Sequence, residues 1–249
     1  MEQGAQTIYR AVAVLRELAS RNNEGTGMTE LSDATGLTGP TVHRILRALV
    51  GVGLAHQRTA DRRYFLGQLV YELALNLGNR FDLGAVAAAA TDKLAELTGD
   101  TAFFLYRSGG DMVCLNRTSG SFPVKTLLTD VGTRRPLGLG AGGLAVLAKL
   151  PREAALKIMA ANEQTYHGNG QSLATIVDEV EKAADLGHVV RWLPELGATT
   201  VAVAICDRQN QPFAALSASA ISQRMEGEHL MQALTEMKKL RDEIEAGIG

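Results

Sequence analysis

Thr41, His43, Arg44 and Arg47 occupy positions that share one face of a helix, and none of them is acidic. Hydroxyl, imidazole and guanidinium groups presented together donate hydrogen bonds to base edges and phosphate oxygens, the chemistry a DNA major groove accepts. Arg58, Arg62 and Arg63 follow, so positions 41–63 hold five arginines against the single acid Asp61. Cations at that density neutralise phosphate. Catalytic chemistry is poorly provided for. The histidines, His43, His56, His167, His188 and His229, are scattered, and neither His-Glu-x-x-His nor Gly-x-Ser-x-Gly occurs. No nucleophile with its base, no metal site and no cofactor is therefore expected. Gly138, Gly140 and Gly143 satisfy G-x-G-x-x-G in form only. A dinucleotide fingerprint follows a buried parallel strand and leads through a helix to a second strand, whereas here RRP precedes and two helices follow before His188.

The elements that must position the cationic face can be read from local signals. Gly36 suits a left-handed helix cap, where a Cβ would be strained. Thr38 or Gly39 caps the next helix, and Pro40 fits its first turn because a proline there gives up no useful donor. Val42, Ile45, Leu46 and Leu49 then form an apolar stripe opposite the cations. Upstream, 7–20 reads as a helix capped by Thr7, with Ile8, Val12, Leu15 and Leu18 inward; the pattern breaks at 22–27. A short helix over 29–35 turns Leu31 and Ala34 inward, and Leu37 fills the turn. Downstream, Gly51 and Gly53 end the recognition helix, and LAHQR and RRYFL form a hairpin around Thr59, Ala60 and Asp61. Helix, helix-turn-helix and hairpin make a winged helix-turn-helix over 1–66. The alternative partner for such a module is a protein, which leaves the chain a ligand sensor that does not read DNA.

A linker helix is expected over 67–83. Leu69, Leu73 and Leu77 on it either meet a second copy or pack on the chain's own domains; a two-fold dimer would match a palindromic operator. A second domain over 84–249 opens with an alanine-rich helix ending near Gly99. TAFFLYR and MVCLNRT form a hairpin through SGGD, and VKTLLTD reads as a third strand. Helices over 152–161 and 173–186 follow, then strands HVVRWL, ATTVAVAIC and FAALSASA, and a closing helix over 228–246. That order makes an α+β fold with a mainly antiparallel sheet.

The 249 residues carry a net charge of −2, but residues 1–66 alone hold eight arginines against six acids. The positive charge is local, as when one end of a chain meets nucleic acid. Cys114 and Cys206 sit in strand-like apolar runs without ligand spacing, and read as buried free thiols in a reducing compartment. Neither a signal sequence nor a run near the roughly 18 apolar residues of a membrane span is present, so a cytoplasmic protein is expected.

YRAVAVLREL, MTELSDATGL, PTVHRILRAL, RRYFLGQLVYELA, RRPLGLGAGGLAVLA, ELGATTVAVAICD and PFAALSASA occur in an order and spacing that resemble the IclR family of bacterial transcription regulators. The resemblance spans essentially the whole chain. It implies a winged helix-turn-helix joined by a linker helix to a GAF-like effector-binding domain, a homodimer or dimer of dimers, and a repressor or activator controlled by a small organic or aromatic acid. By the same resemblance the effector contacts fall on Gly140 and Ala141, on Thr200, and on Ser217 and Ser219. This sequence departs from the family pattern where a histidine and a lysine are usual: Gly138 and Leu144 stand there. The family's acidic stretch is shortened and becomes GHVVRWLPE, and Arg191 and Trp192 stand in that region, Arg191 as a ligand contact or as a surface charge. A cation beside an aromatic plane would receive an organic acid.

Overall fold

The structure, a computed structural model, describes residues 3–21, 23–75 and 83–247. Asn22 and Leu77, used above to break a helix and to extend the linker stripe, lie outside them. Internal contacts divide the chain into two compact units, residues 1–81 and 82–249.

The first unit contains α1 (Gln3–Ser20), α2 (Met28–Thr35), α3 (Gly39–Gly51), β1 (Ala55–Gln57), β2 (Tyr64–Leu66) and α4 (Gln68–Leu75). Gly36 ends α2 at φ 65°, and Thr38 enters α3 in an extended conformation ahead of Pro40, as their residue types require. Val42, Ile45, Leu46 and Leu49 are buried against Val14, Leu18 and Leu31. The face of α1 is corrected. Ala11, Val14, Leu15 and Leu18 pack inward, whereas Ile8 is 66% and Val12 39% exposed. Both stripes have helical spacing, and only the positions of α2 and α3 select between them. Thr7 lies inside α1, which starts four residues earlier at Gln3, and Ala34 is exposed, leaving Leu31 as the buried anchor of α2.

β1 and β2 form the antiparallel wing, with Ala55 opposite Leu66. Its base depends on two glycines. A Cβ on Gly67 would lie 2.1 Å from the Gly53 carbonyl oxygen, which accepts the Leu69 N–H at 3.1 Å. Gly67→Ala must separate these segments, and is expected to destabilise the first unit by about 1–3 kcal/mol, the usual cost of overpacking. Chemical denaturation followed by α-helical circular dichroism checks this.

The second unit contains α5 (Leu83–Thr98), β3 (Thr101–Ser108), β4 (Asp111–Ser119), β5 (Arg134–Pro136), α6 (Ala141–Lys149), α7 (Arg152–Gly168), α8 (Leu173–Leu186), β6 (Val189–Leu193), β7 (Ala198–Cys206), β8 (Pro212–Ile221) and α9 (Gly227–Gly247). Six strands form one sheet in the order β5-β4-β3-β8-β7-β6, every neighbouring pair antiparallel. Period-two alternation divides the residues of β8 between its faces. Ala214, Leu216, Ala218 and Ala220 pack with residues of α5 and α9, while Ala215 packs with residues of α6, α7 and α8. The expected strand VKTLLTD does not form. The free edge of β4 pairs instead with Arg134–Pro136, and Val124 and Leu127 stay exposed. An apolar run becomes a strand only where a partner edge is open to it.

One tie had no signal in the sequence. The buried Asp100 carboxylate, ahead of β3, accepts from Arg224 Nε at 2.7 Å and meets His229 Nε2 of α9 at 2.6 Å. The closing helix is thereby fixed to the start of the sheet.

Candidate functional site

The outer face of α3 carries the residues expected to meet DNA. His43, Arg44 and Arg47 are exposed, and their side chains make no hydrogen bond or ion pair among the described residues. Thr41 is half-buried in the first turn, with Oγ1 2.9 Å from Thr38 Oγ1. The wing arginines are not equivalent. Arg58 grips Asp61 through Nε at 3.0 Å and Nη2 at 2.5 Å and lies 4.6 Å over the Phe65 ring. That hydrogen bonding holds the Asp61 carboxyl down at about 2, so the acid stays ionised and paired. Arg63 turns inward: Nε and Nη2 donate to the Gly25 carbonyl, and Nη2 reaches Glu30 Oε2 at 2.9 Å. Only Arg62, at φ 58° on the exposed tip, has a side chain without a partner among the described residues. Three arginines that look alike in sequence thus become one internal brace, one neutralised pair and one free cation.

The second unit encloses a cavity of about 420 Å³ on the α6 side of its sheet. Gly140 precedes α6 in an extended conformation, and Gly140, Ala141, Gly142 and Gly143 line the cavity. The first N–H groups of a helix have no intrahelical acceptor, so this end offers donors and a partial positive charge. Gly142 lets the helix start approach Leu105 closely: a Cβ there would sit 2.4 Å from Leu105 Cδ1, which would have to move aside. Opposite, strand register aligns a polar row: Arg191 of β6 faces Thr200 of β7, Thr200 faces Ser219 of β8, and Ser219 faces Thr101 of β3. Thr200 Oγ1 and Ser219 Oγ are 2.7 Å apart, and Ser217 adds another hydroxyl to the lining.

Arg191 also lines the cavity and is only 6% exposed. Its Nη1 donates to the Gly138 carbonyl at 3.3 Å, and Nη2 stands 3.7 Å from Glu179 of α8. Burial pushes the guanidinium below its ordinary range, opposed by Glu179. Trp192 does not join it. Adjacent strand residues point to opposite faces, so Trp192 is 66% exposed and contributes nothing to the lining. The cation of that expected pair reaches the cavity; the aromatic plane does not.

Sequence reasoning missed much of the apolar wall, including Phe103, Leu105, Met112, Leu127 and Leu196. Alternation in β3 could have found Phe103 and Leu105, which flank the oppositely directed Phe104. Leu127 arrives on an irregular segment and Leu196 on a single 3-10 turn, Pro194–Leu196, too short to give a periodic signal. Among the described residues the lining contains two arginines and no carboxylate. A ligand with an anionic end and an apolar body matches it.

No group of metal-ligating side chains occurs among the described residues. The glycine fingerprint follows a three-residue antiparallel edge strand, which is the wrong context for a dinucleotide. Both cysteines are buried, and burial raises the Cys114 thiol to about 11. Among the described residues no helix is long and apolar enough to cross a membrane.

Residues 7–59 match the IclR helix-turn-helix domain, and residues 76–246 match the bacterial transcriptional regulator IclR C-terminal domain. Over 253 aligned residues the chain is 24% identical to the HTH-type transcriptional regulator KipR of Bacillus subtilis, covering 100% of this chain and 99% of that one. It is 27% identical to the transcriptional regulator SauR of Cupriavidus necator, over 94% of each chain. An IclR transcriptional regulator from Alicyclobacillus acidocaldarius shares the fold at a TM-score of 0.77 and 23% identity, covering 98% of this chain and 99% of that one. An IclR homologue from Microbacterium hydrocarbonoxydans, solved with 4-hydroxybenzoate, aligns at a TM-score of 0.72 and 22% identity over 97% and 98% of the two chains. With both domains matched in order, the α+β fold shared and a DNA-binding helix-turn-helix at its start, the chain belongs to the IclR family of transcriptional regulators, which are not enzymes.

Proposed function

We propose that the chain binds a two-fold symmetric double-stranded DNA operator as a homodimer or dimer of dimers, and that an organic or aromatic acid in the 420 Å³ cavity modulates its operator affinity. The winged head is residues 1–66, the linker 67–83 and the effector domain 84–249. The observation that carries the ligand class is the buried Arg191 on the wall of a cavity without acids. Gly140, Ala141, Thr200, Ser217 and Ser219 supply further polar contacts. The 4-hydroxybenzoate bound by the Microbacterium homologue is an acid of this class. Tyr71, Leu73 and Leu75 on α4 are exposed apolar side chains, a surface that a second copy could cover.

Thr41, His43, Arg44 and Arg47 address the bases or adjoining phosphates. Arg62 reaches the backbone from the wing, while Arg58 and Arg63, held in internal pairs, shape the wing that presents it. Arg44→Ala is expected to weaken operator binding by about 1–3 kcal/mol and to relax specificity at one position. Fluorescence anisotropy on a duplex from the DNA flanking the chain's own reading frame, at two salt concentrations, tests both statements. Binding must fall steeply as salt rises. No salt-sensitive DNA binding at all would move the module to a protein partner. The change an effector makes is bounded by its difference in affinity for the two operator-binding states. An acid that binds tightly and leaves operator affinity unchanged would contradict the coupling.

A further inference from the structure

Glu179 and Arg191 form an ion pair that is present but not closed. An arginine side chain has five N–H donors, yet among the described residues that of Arg191 makes one hydrogen bond, to the Gly138 carbonyl at 3.3 Å. Glu179 Oε2 stands 3.7 Å from Nη2, close enough for attraction and too far for a hydrogen bond. That oxygen is itself buried with no hydrogen-bond partner. Ion pairs that brace this unit look different: Arg134 meets Asp111 at 2.8 Å, and Arg224 meets Asp100 at 2.7 Å. A buried guanidinium and a partly buried carboxylate held apart give up most of what a closed pair can contribute. Arg191 lines the cavity and Glu179 does not, so an anion there meets Arg191 directly and finds Glu179 as its rival.

We propose that Glu179 is a resident counter-anion that sets effector affinity: it neutralises Arg191 while the cavity is empty, and an acid's carboxylate must take the guanidinium over against its charge. The inference rests on the reading of the cavity as an acid site. It makes Glu179 a positioning and affinity-setting residue that does not touch the effector. The exchange also connects the cavity to α8, which carries Glu179.

Titration calorimetry on the full chain tests this with benzoate and the uncharged benzamide as paired probes. Glu179→Gln removes the charge while keeping the shape. It is expected to tighten benzoate binding by about tenfold, since a like charge within several ångströms of a partly desolvated anion is worth about that factor. Benzamide affinity should not change. Glu179→Ala should shift benzoate in the same direction, which guards against an effect peculiar to the glutamine amide. Benzoate binding that is unchanged or weaker in both variants would make Glu179 a brace for Arg191 and overturn the inference, leaving the acid site intact. Equal tightening of benzamide would also overturn it, because the effect would not be electrostatic. Benzoate that binds neither wild type nor variant would remove the anion from the cavity and take both readings together.

Discussion

The Arg191→Met protein is expected to keep its operator affinity and lose its response to organic acids. Arg191 is the one buried cation on the cavity wall, and methionine replaces it with an unbranched apolar chain. Removing one partner of a buried charged contact costs about 2–5 kcal/mol of binding, a loss of roughly 30-fold to a few thousand-fold. The fold should tolerate the change. Removing one partner of a buried ion pair destabilises a fold when the other charge stays buried, but Glu179, whose side chain is one-third exposed, can turn its carboxylate to water when its partner is gone. Calorimetry with a binding acid gives the first quantity, and anisotropy on the operator with and without that acid gives the second. Acid affinity close to wild type would show that the α6 end and the hydroxyl row hold the anion unaided.

Gly138→Ala is expected to destabilise the 82–249 unit by about 2–5 kcal/mol. Two costs add. Gly138 adopts φ 101°, outside the conformations L residues favour, for about 1–2 kcal/mol. Its new Cβ would lie 2.6 Å from Tyr166 Oη and 3.1 Å from Ile176 Cγ2, both in fully buried side chains, adding about 1–3 kcal/mol of overpacking. Tyr166 cannot easily yield, because its hydroxyl donates to the Leu137 carbonyl. Denaturant unfolding measures the sum. Adding Tyr166→Phe removes the clashing oxygen but not the backbone strain, so the double variant should recover part of the loss and no more. An unchanged midpoint in Gly138→Ala would contradict this loop geometry. Because the Gly138 carbonyl also accepts from Arg191, acid binding is expected to weaken with stability.

The DNA-reading helix was legible in the sequence because every signal that defines it is local: Gly36, Pro40 and a four-residue apolar stripe lie within one short span. The wing's charge was not. Arg63 differs from Arg62 only through Gly25 and Glu30, residues distant in sequence that the fold brings to it. In the second unit, five of the six sheet strands were found, the edge strand β6 included, whereas VKTLLTD was misread because its pattern does not reveal that Arg134–Pro136 occupies the edge of β4. Ser217 and Ser219 were paired by alternation, and the same rule separates Trp192 from Arg191. The contact between Arg191 and Glu179 joins a strand to a helix by packing, and no spacing in the chain announces it.

The sheet order has a consequence for how the protein is made. β3 lies between β4, its neighbour in sequence, and β8, whose residues 212–221 are synthesised more than a hundred positions later. Such distant pairings form slowly, and units emerging first from the ribosome fold first. The winged head can therefore be complete while β3 still lacks one edge and the cavity lacks Ser217 and Ser219. A chain truncated before β8 would lack the strand that completes the sheet between β3 and β7, and with it the Ser217 and Ser219 wall of the cavity.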